Sequence, residues 1–257
     1  MKIYGIQLSS EWNQKEENFK KVKTLLEKHK VIQNSLLVLP EMFATGFSLD
    51  PPATMAEEPH KTESFLSQLA KEKKCWIIGG MIRPEENQKK GKNCSVLFSP
   101  EGERKLSYTK IHPIPMLGED LVHVRGNQVK SVPIEFFRIS TFICYDLRFP
   151  ELFRSSLKQG TNLFVVIACW PKIRIQHWSV LLRARAIENQ AYVVGLNRTG
   201  KDPDLEYGGH SMVIDPMGNI LVEGGEEEGL IEAEIEKNTI NEWRSEFSAT
   251  NDYLNYN

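Results

Sequence analysis

Ile139-Ser140-Thr141-Phe142-Ile143-Cys144-Tyr145-Asp146-Leu147-Arg148-Phe149-Pro150-Glu151 is the stretch from which the architecture is read. Ile139 to Ile143 is an apolar strand, and Cys144 stands at its C-terminal edge. Phe149-Pro150 then opens a helix, because proline lacks only an N–H that the first helical turn leaves unpaired anyway. A thiol at this strand-to-helix elbow is expected to face backbone N–H groups and the positive end of the helix dipole, both of which favour thiolate over thiol. The same amides are placed to hold an oxyanion. The competing reading of any cysteine is a small buried hydrophobe, and that reading is kept for Cys75, Cys94 and Cys169, which lie within or at the ends of strands.

Working outward, strand and helix patterns alternate on both sides of the elbow. Lys2 to Leu8 reads as a strand. Asn13 is expected to cap a helix whose apolar positions Phe19, Val22, Leu25 and Leu26 follow helical spacing. Leu36 to Leu39 is a short all-apolar run of the kind a strand covered on both faces shows, and it ends in Pro40 and Glu41. A helix follows near Thr62 to Lys73, then a strand from Cys75 to Ile82, then strands Asn93 to Ser99 and Arg104 to Lys110 around the turn Pro100-Glu101-Gly102. Beyond the elbow the pattern predicts strands at Arg138 to Cys144, Asn162 to Cys169, Ala191 to Asn197, Ser211 to Ile214 and Gly229 to Ile235. Helices are predicted at Pro150 to Lys158 and His177 to Gln190, the latter with Leu181, Leu182, Ala184, Ala186 and Ile187 on an apolar face. The mixture implies layered α/β architecture. The pattern alone does not separate one doubly wound sheet from two stacked sheets.

The 257 residues suit a single large domain, 1–257, and no internal boundary or repeat is evident. With 32 Lys and Arg against 34 Asp and Glu, the net charge of -2 supplies no field toward nucleic acid or an anionic membrane. The expected partners are a small molecule and further copies of the chain. The longest apolar run, Leu163 to Trp170, is far short of the ~20 residues that cross a bilayer. The start of the sequence lacks the apolar centre of a signal peptide, so the expected location is cytoplasmic. The four cysteines form no CxxC pair and the six histidines are scattered, so neither a disulfide framework nor a structural zinc is expected.

Two further residues can do chemistry at strand ends. Glu41 follows a buried run, where a carboxylate either lines a crevice as a general base or needs a cationic partner. Lys110, in Tyr108-Thr109-Lys110-Ile111-His112-Pro113, either is a solvated edge charge or stabilises a thiolate and the negative charge of a tetrahedral intermediate.

Taken with their flanks, Leu39-Pro40-Glu41-Met42-Phe43, Tyr108-Thr109-Lys110-Ile111-His112 and Ile143 to Glu151 resemble the three signature segments of the nitrilase superfamily, the carbon-nitrogen hydrolases. Trp170-Pro171, Arg183-Ala184-Arg185-Ala186-Ile187-Glu188-Asn189-Gln190 and Asn197-Arg198 make the chain most similar to its omega-amidase branch. The resemblance implies a four-layer α-β-β-α sandwich, assembled as a homodimer or higher oligomer, with no metal or organic cofactor. It implies Cys144 as nucleophile, Glu41 as general base, and Lys110 with the Tyr145 backbone N–H as oxyanion stabilisers; Glu119 matches a second glutamate of the family's site.

Omega-amidases act on the terminal amide of short 2-oxo dicarboxylic acids such as 2-oxoglutaramate. Such a pocket needs a cation for the remote carboxylate. Arg148 is the candidate, against an internal salt bridge to Asp146 or Glu151. Arg174 is a second cation, and Trp170 and Phe43 are expected as apolar walls. A nitrilase, a deaminated-glutathione amidase and an N-carbamoyl amidohydrolase would use the same three residues. Rivals of another class are a catalytically silent scaffold and a redox-sensing thiol protein. The chain departs from the family's common pattern at Cys169, where a small polar residue is more frequent, at His210, where an acid is, and at Ser248, where proline often stands.

Overall fold

The computed structural model describes residues 1–50, 60–85 and 90–252. The last five positions of the Asn251 to Asn257 tail lie outside the described residues.

Fourteen strands are present among the described residues: β1 (Lys2–Gln7), β2 (Leu36–Val38), β3 (Trp76–Pro84), β4 (Gly91–Phe98), β5 (Arg104–Thr109), β6 (Val132–Ile134), β7 (Phe137–Ile143), β8 (Leu163–Ala168), β9 (Tyr192–Asn197), β10 (Thr199–Lys201), β11 (Glu206–Gly208), β12 (Met212–Ile214), β13 (Ile220–Glu223) and β14 (Gly229–Glu234). Helices are α1 (Lys15–Glu27), α2 (Lys61–Lys73), α3 (Glu119–Val122), α4 (Pro150–Leu157), α5 (Ile175–Asn189) and α6 (Lys237–Glu246). The strands form two six-stranded mixed sheets, ordered β14-β1-β2-β3-β4-β5 and β13-β12-β9-β8-β7-β6, with β10 and β11 as a separate ribbon. That settles the question left open by periodicity in favour of two sheets.

Alternation along the strands shows how the sheets stack. In β2, Leu36 and Val38 join the core shared with the second sheet, whereas Leu37 and the following Leu39 pack with α1 and α2. A hydrogen bond of 2.7 Å between the hydroxyls of Ser95 in β4 and Thr141 in β7 crosses between the sheets. On the outer side of the second sheet, Phe153 of α4 packs on Phe142 at 4.4 Å between ring centroids, and Leu182 and Trp178 of α5 come so close to Gly195 of β9 that no side chain fits there. The result is a four-layer α-β-β-α sandwich.

The expected core face of α1 is buried as predicted, through Phe19, Val22, Leu25 and Leu26, each side chain contributing ~1.5–3 kcal/mol by leaving water. Its start differs from the expectation. Gln14 takes the cap position without a side-chain bond, and Asn13 sits at φ 54° with its N–H donating to the Thr45 carbonyl at 2.9 Å. A residue held by a distant loop in the left-handed region cannot also cap the helix. In α5 the buried face is Trp178, Leu182, Arg185, Ala186 and Asn189, and the expected Ile187 is half exposed. Arg185 is buried there because it satisfies the Leu147 carbonyl of the elbow, and Asn189 bonds back to the Arg185 carbonyl. Among the described residues no helix is long and apolar enough to cross a membrane.

Candidate active site

Glu41, Lys110 and Cys144 each follow the C-terminal end of a strand, and Glu119 opens α3. Leu39-Pro40 carries the chain from β2 to Glu41, and this segment is pinned to β3 by Leu39 N–H to the Ile78 carbonyl at 2.8 Å and Gly80 N–H to the Pro40 carbonyl at 3.1 Å. The approach is tight. A Cβ on Gly80 would lie 2.5 Å from the Glu41 Cα, so β3 must be side-chain-free where Glu41 passes. Lys110 follows β5, its N–H bonded to the Asn93 carbonyl at 2.9 Å. Cys144 follows β7 at φ 46°, a left-handed conformation for a residue with a side chain, which marks a sharp, strained elbow. The first helical turn after it is a 3-10 turn over Cys144–Arg148, and α4 begins at Pro150 as expected.

These ends converge. Lys110 Nζ lies 3.0 Å from Glu41 Oε1 and 2.8 Å from Glu119 Oε2. Glu41 Oε2 accepts the Cys169 backbone N–H at 2.7 Å. Glu119 Oε2 also accepts the Ile114 N–H at 2.7 Å, and His123 Nδ1 stands 3.5 Å from its other oxygen. The Asn93 side-chain amide donates to Glu41 at 2.7 Å and to Glu119 at 2.9 Å. Glu41 and Glu119 have no exposed surface and Lys110 has 1 %, whereas Cys144 keeps 8 %. Only the thiol meets the outside.

Charge follows from this packing. Burial opposes the Lys110 ammonium, but the Glu119 and Glu41 charges outweigh it and raise its pKa well above the ordinary lysine value. Burial likewise opposes the Glu119 carboxylate, yet the Lys110 charge, the adjacent His123 ring and hydrogen bonds from Lys110 and Asn93 bring its pKa down to about 2. For Cys144, burial first and the Glu41 charge second push the thiol well above its usual value, with Lys110 only partly offsetting them. This corrects the expectation of a thiolate: two carboxylates surround one ammonium, so the site already carries an excess negative charge and a third anion is disfavoured. Cys144 rests as a thiol, 3.7 Å from the Cys169 carbonyl.

Cys144 opens into a cavity of about 340 Å³ lined by Ile114, Pro115, Met116, Tyr145, Arg148, Trp170, Pro171 and Arg174, a size suited to a small metabolite. Arg148 lies with its guanidinium carbon 4.8 Å from the Trp170 ring centroid and NH2 3.4 Å from His177 Nδ1. Among the described residues it has no carboxylate partner, and the alternative of a salt bridge to Asp146 fails for a clear reason. Asp146 is buried and already occupied, accepting Tyr108 Oη at 2.8 Å, the His112 N–H at 2.9 Å and the Ile143 N–H at 3.2 Å, with His112 Nδ1 at 3.0 Å. Arg174 reaches the cavity wall while its carbonyl accepts Trp170 Nε1 at 2.8 Å. Phe43 does not line the cavity. It packs with Phe19 and Phe65 under α1 and α2, since it falls on the helix-facing side of its sheet. Phe47 is the aromatic beside the charges, its ring centroid 5.6 Å from Lys110 Nζ.

Other residues hold the site together. Arg185 donates twice to the Leu147 carbonyl, at 3.2 and 2.7 Å, bracing the elbow from behind. Asn197 brackets Trp170, accepting its N–H at 2.7 Å and donating to its carbonyl at 3.1 Å. Cys169 is buried, as read, but touches the site through its amide and through a thiol 3.3 Å from the Glu41 carbonyl. His210 pairs with Glu223 at 2.8 Å, so an ion-pair geometry exists there with the basic partner at 210. The sequence reading missed Asn93, Gly80 and Phe47. The one available signal was Asn93, an amide side chain next to the apolar part of a strand.

The carbon-nitrogen hydrolase family profile matches residues 5–245. A 2-oxoglutaramate amidase from Paenarthrobacter nicotinovorans is 40% identical over 84% of this chain and 77% of its own length. One from Bacillus subtilis is 36% identical over 91% and 90%. A crystal structure of a carbon-nitrogen hydrolase superfamily protein from Xanthomonas campestris, with an arsenic adduct in its active site, superposes with a TM-score of 0.92 at 30% identity, covering 100% of this chain and 98% of that one.

Proposed function

The chain belongs to the carbon-nitrogen hydrolase family, and from that premise we propose that it is a cysteine-dependent amidase that hydrolyses the terminal amide of a small carboxylic acid, a 2-oxo dicarboxylic acid monoamide such as 2-oxoglutaramate. The observation that carries this reading is the convergence of Glu41, Lys110 and Glu119 behind a single accessible thiol, Cys144, in a cavity whose wall holds the carboxylate-free Arg148. The relatives named for 2-oxoglutaramate support the substrate class.

In this mechanism Glu41 takes the thiol proton as Cys144 Sγ attacks the amide carbon, so the charged thiolate exists only transiently. The carbonyl oxygen gains a negative charge, which the Lys110 ammonium and the Tyr145 N–H stabilise. Glu119 keeps Lys110 charged and in place. Glu41 then gives its proton to the leaving nitrogen, ammonia departs, and a thioester remains. A water molecule, deprotonated by Glu41, attacks the thioester, and the proton returns to Cys144 as the acid leaves. Arg148, with Arg174 as a second cation, holds the remote carboxylate, and Trp170 forms an apolar wall. Assembly as a homodimer or higher oligomer and a cytoplasmic location belong to the same proposal.

The test is ammonia release from 2-oxoglutaramate by the purified protein, run beside a neutral aliphatic amide of similar length and a Cys144→Ala control. Release that needs Cys144 and favours the oxo acid is the expected result. Release favouring the neutral amide would move the protein to another branch, and release by Cys144→Ala would end the mechanism.

A further inference from the structure

Two buried carboxylates face one buried ammonium, an arrangement that ordinarily favours a proton on one carboxylate. A protonated Glu41 cannot accept the thiol proton. The reading of Glu41 as the base therefore needs something more than Lys110 to keep both carboxylates ionised. Among the described residues the charged and titratable groups facing this point are Glu41 after β2, Lys110 after β5, Glu119 of α3 with His123 just after it, Cys144 after β7 and the Cys169 thiol after β8, and among them only Lys110 is a fixed cation.

The Cys169 N–H serves Glu41 alone and the Ile114 N–H serves Glu119 alone, whereas Asn93 donates to both carboxylates. Its Nδ2 carries two N–H groups, and the two acceptors within reach are Glu41 Oε1 at 2.7 Å and Glu119 Oε1 at 2.9 Å. The amide orientation is forced, because a flip would set its oxygen against both carboxylates. Its Oδ1 is buried without a partner, a cost that a residue kept merely to fill space would not incur. The next residues of β4, Cys94 to Phe98, are largely apolar and buried, so the polar side chain is not explained by packing. Its own carbonyl also receives the Lys110 N–H at 2.9 Å, which ties both catalytic charges to one residue.

We propose that Asn93 is a positioning residue of the reaction: by donating to Glu41 and Glu119 at once it keeps the pair ionised and at a fixed separation around one shared ammonium, and so sets the pH below which the base stops working. This rests on Glu41 being the base, and the experiment separates the two ideas by reading Cys144 directly. The rate of Cys144 alkylation by iodoacetamide, followed by mass spectrometry of the peptide that carries it, is measured against pH for the wild type, Asn93→Ala and Asn93→Asp, alongside kcat and KM for 2-oxoglutaramate.

In Asn93→Ala the acid limb of the alkylation profile should move up by about one pH unit. The kcat should fall ~100-fold through misplacement of the base, with KM little changed. Asn93→Asp, although isosteric, should be worse than Asn93→Ala, because it adds a third acceptor and no donor at neutral pH; a space-filling role predicts the reverse order. If Asn93→Asp does not fold, Asn93→Ser takes its place, and its hydroxyl donor should return part of the acid-limb shift. An unmoved acid limb in folded Asn93→Ala, an Asp variant milder than Ala, or a Ser variant no better than Ala would each overturn the proposal. A wild type that shows the acid limb in alkylation but releases no ammonia would end the substrate reading and leave Asn93 judged on the alkylation profiles.

Discussion

The phenol of Tyr108 donates a 2.8 Å hydrogen bond to the carboxylate of Asp146, joining β5, which leads into Lys110, to the turn that carries Cys144. Tyr108 lies in the first sheet and Asp146 in the turn that follows β7 of the second, so this buried contact helps to fix the ammonium relative to the thiol. Tyr108→Phe removes one donor from a buried carboxylate and is expected to cost about 1.5–3 kcal/mol. Urea unfolding measures it. A change within error would mean that the remaining donors suffice.

Gly80 makes room for the backbone of Glu41. Gly80→Ala must push the Glu41 segment away from β3, and overpacking of this kind costs about 1–3 kcal/mol. Activity should fall more than stability, because the displaced group is the base. A folded Gly80→Ala with wild-type kcat would show that the segment gives way without moving the carboxylate.

Glu41→Gln keeps the shape of the site and removes the base. Turnover is expected to fall by ~10⁴-fold or more, as for residues that act as one unit, with the circular dichroism spectrum unchanged. Appreciable ammonia release by this variant would assign the proton transfer elsewhere.

Arg148→Ala should raise KM for carboxylate-bearing amides ~10–100-fold, the effect of losing a charge-assisted pair, and leave neutral amides nearly unaffected. Steady-state kinetics on one substrate of each kind decides it. Equal effects on both would take Arg148 out of substrate recognition.

Glu119, with a pKa brought from 4.5 to about 2, makes stability depend on acid. Its folded pKa is depressed, so its contribution is fully present above 4.5 and is lost as pH falls toward 2. Chemical denaturation of the wild type should therefore show stability declining across that window, and Glu119→Gln should show a shallower decline. Identical slopes would mean that other carboxylates govern acid unfolding.

The legible part of this protein was whatever local chain geometry encodes. Runs such as Leu36 to Leu39 and Ile139 to Ile143 betrayed buried strands by composition, and Pro150 announced the helix after the elbow. Because both are followed at once by Glu41 and Cys144, the ends of strands that carry chemistry could be named before any contact was known. Where local pattern competed with tertiary contacts it failed, as at Asn13, held by the Thr45 carbonyl, and at Ile187, on the outer side of α5.

What the sequence alone determined was the order of elements, the identity of the charged and nucleophilic residues at their ends, and the resemblance their flanks carry. Only the tertiary structure decided that the strands divide into two sheets, that Phe47 rather than Phe43 lies beside the charges, that Asp146 is taken by Tyr108 and so leaves Arg148 free of it, and that the thiol keeps its proton. The reason is physical. Periodicity reports which face of an element is buried, but the distance between Glu41, Asn93, Lys110 and Cys144 is set by strand pairing and sheet stacking, and the protonation of Lys110 and Cys144 by the charges that this stacking shuts away from water.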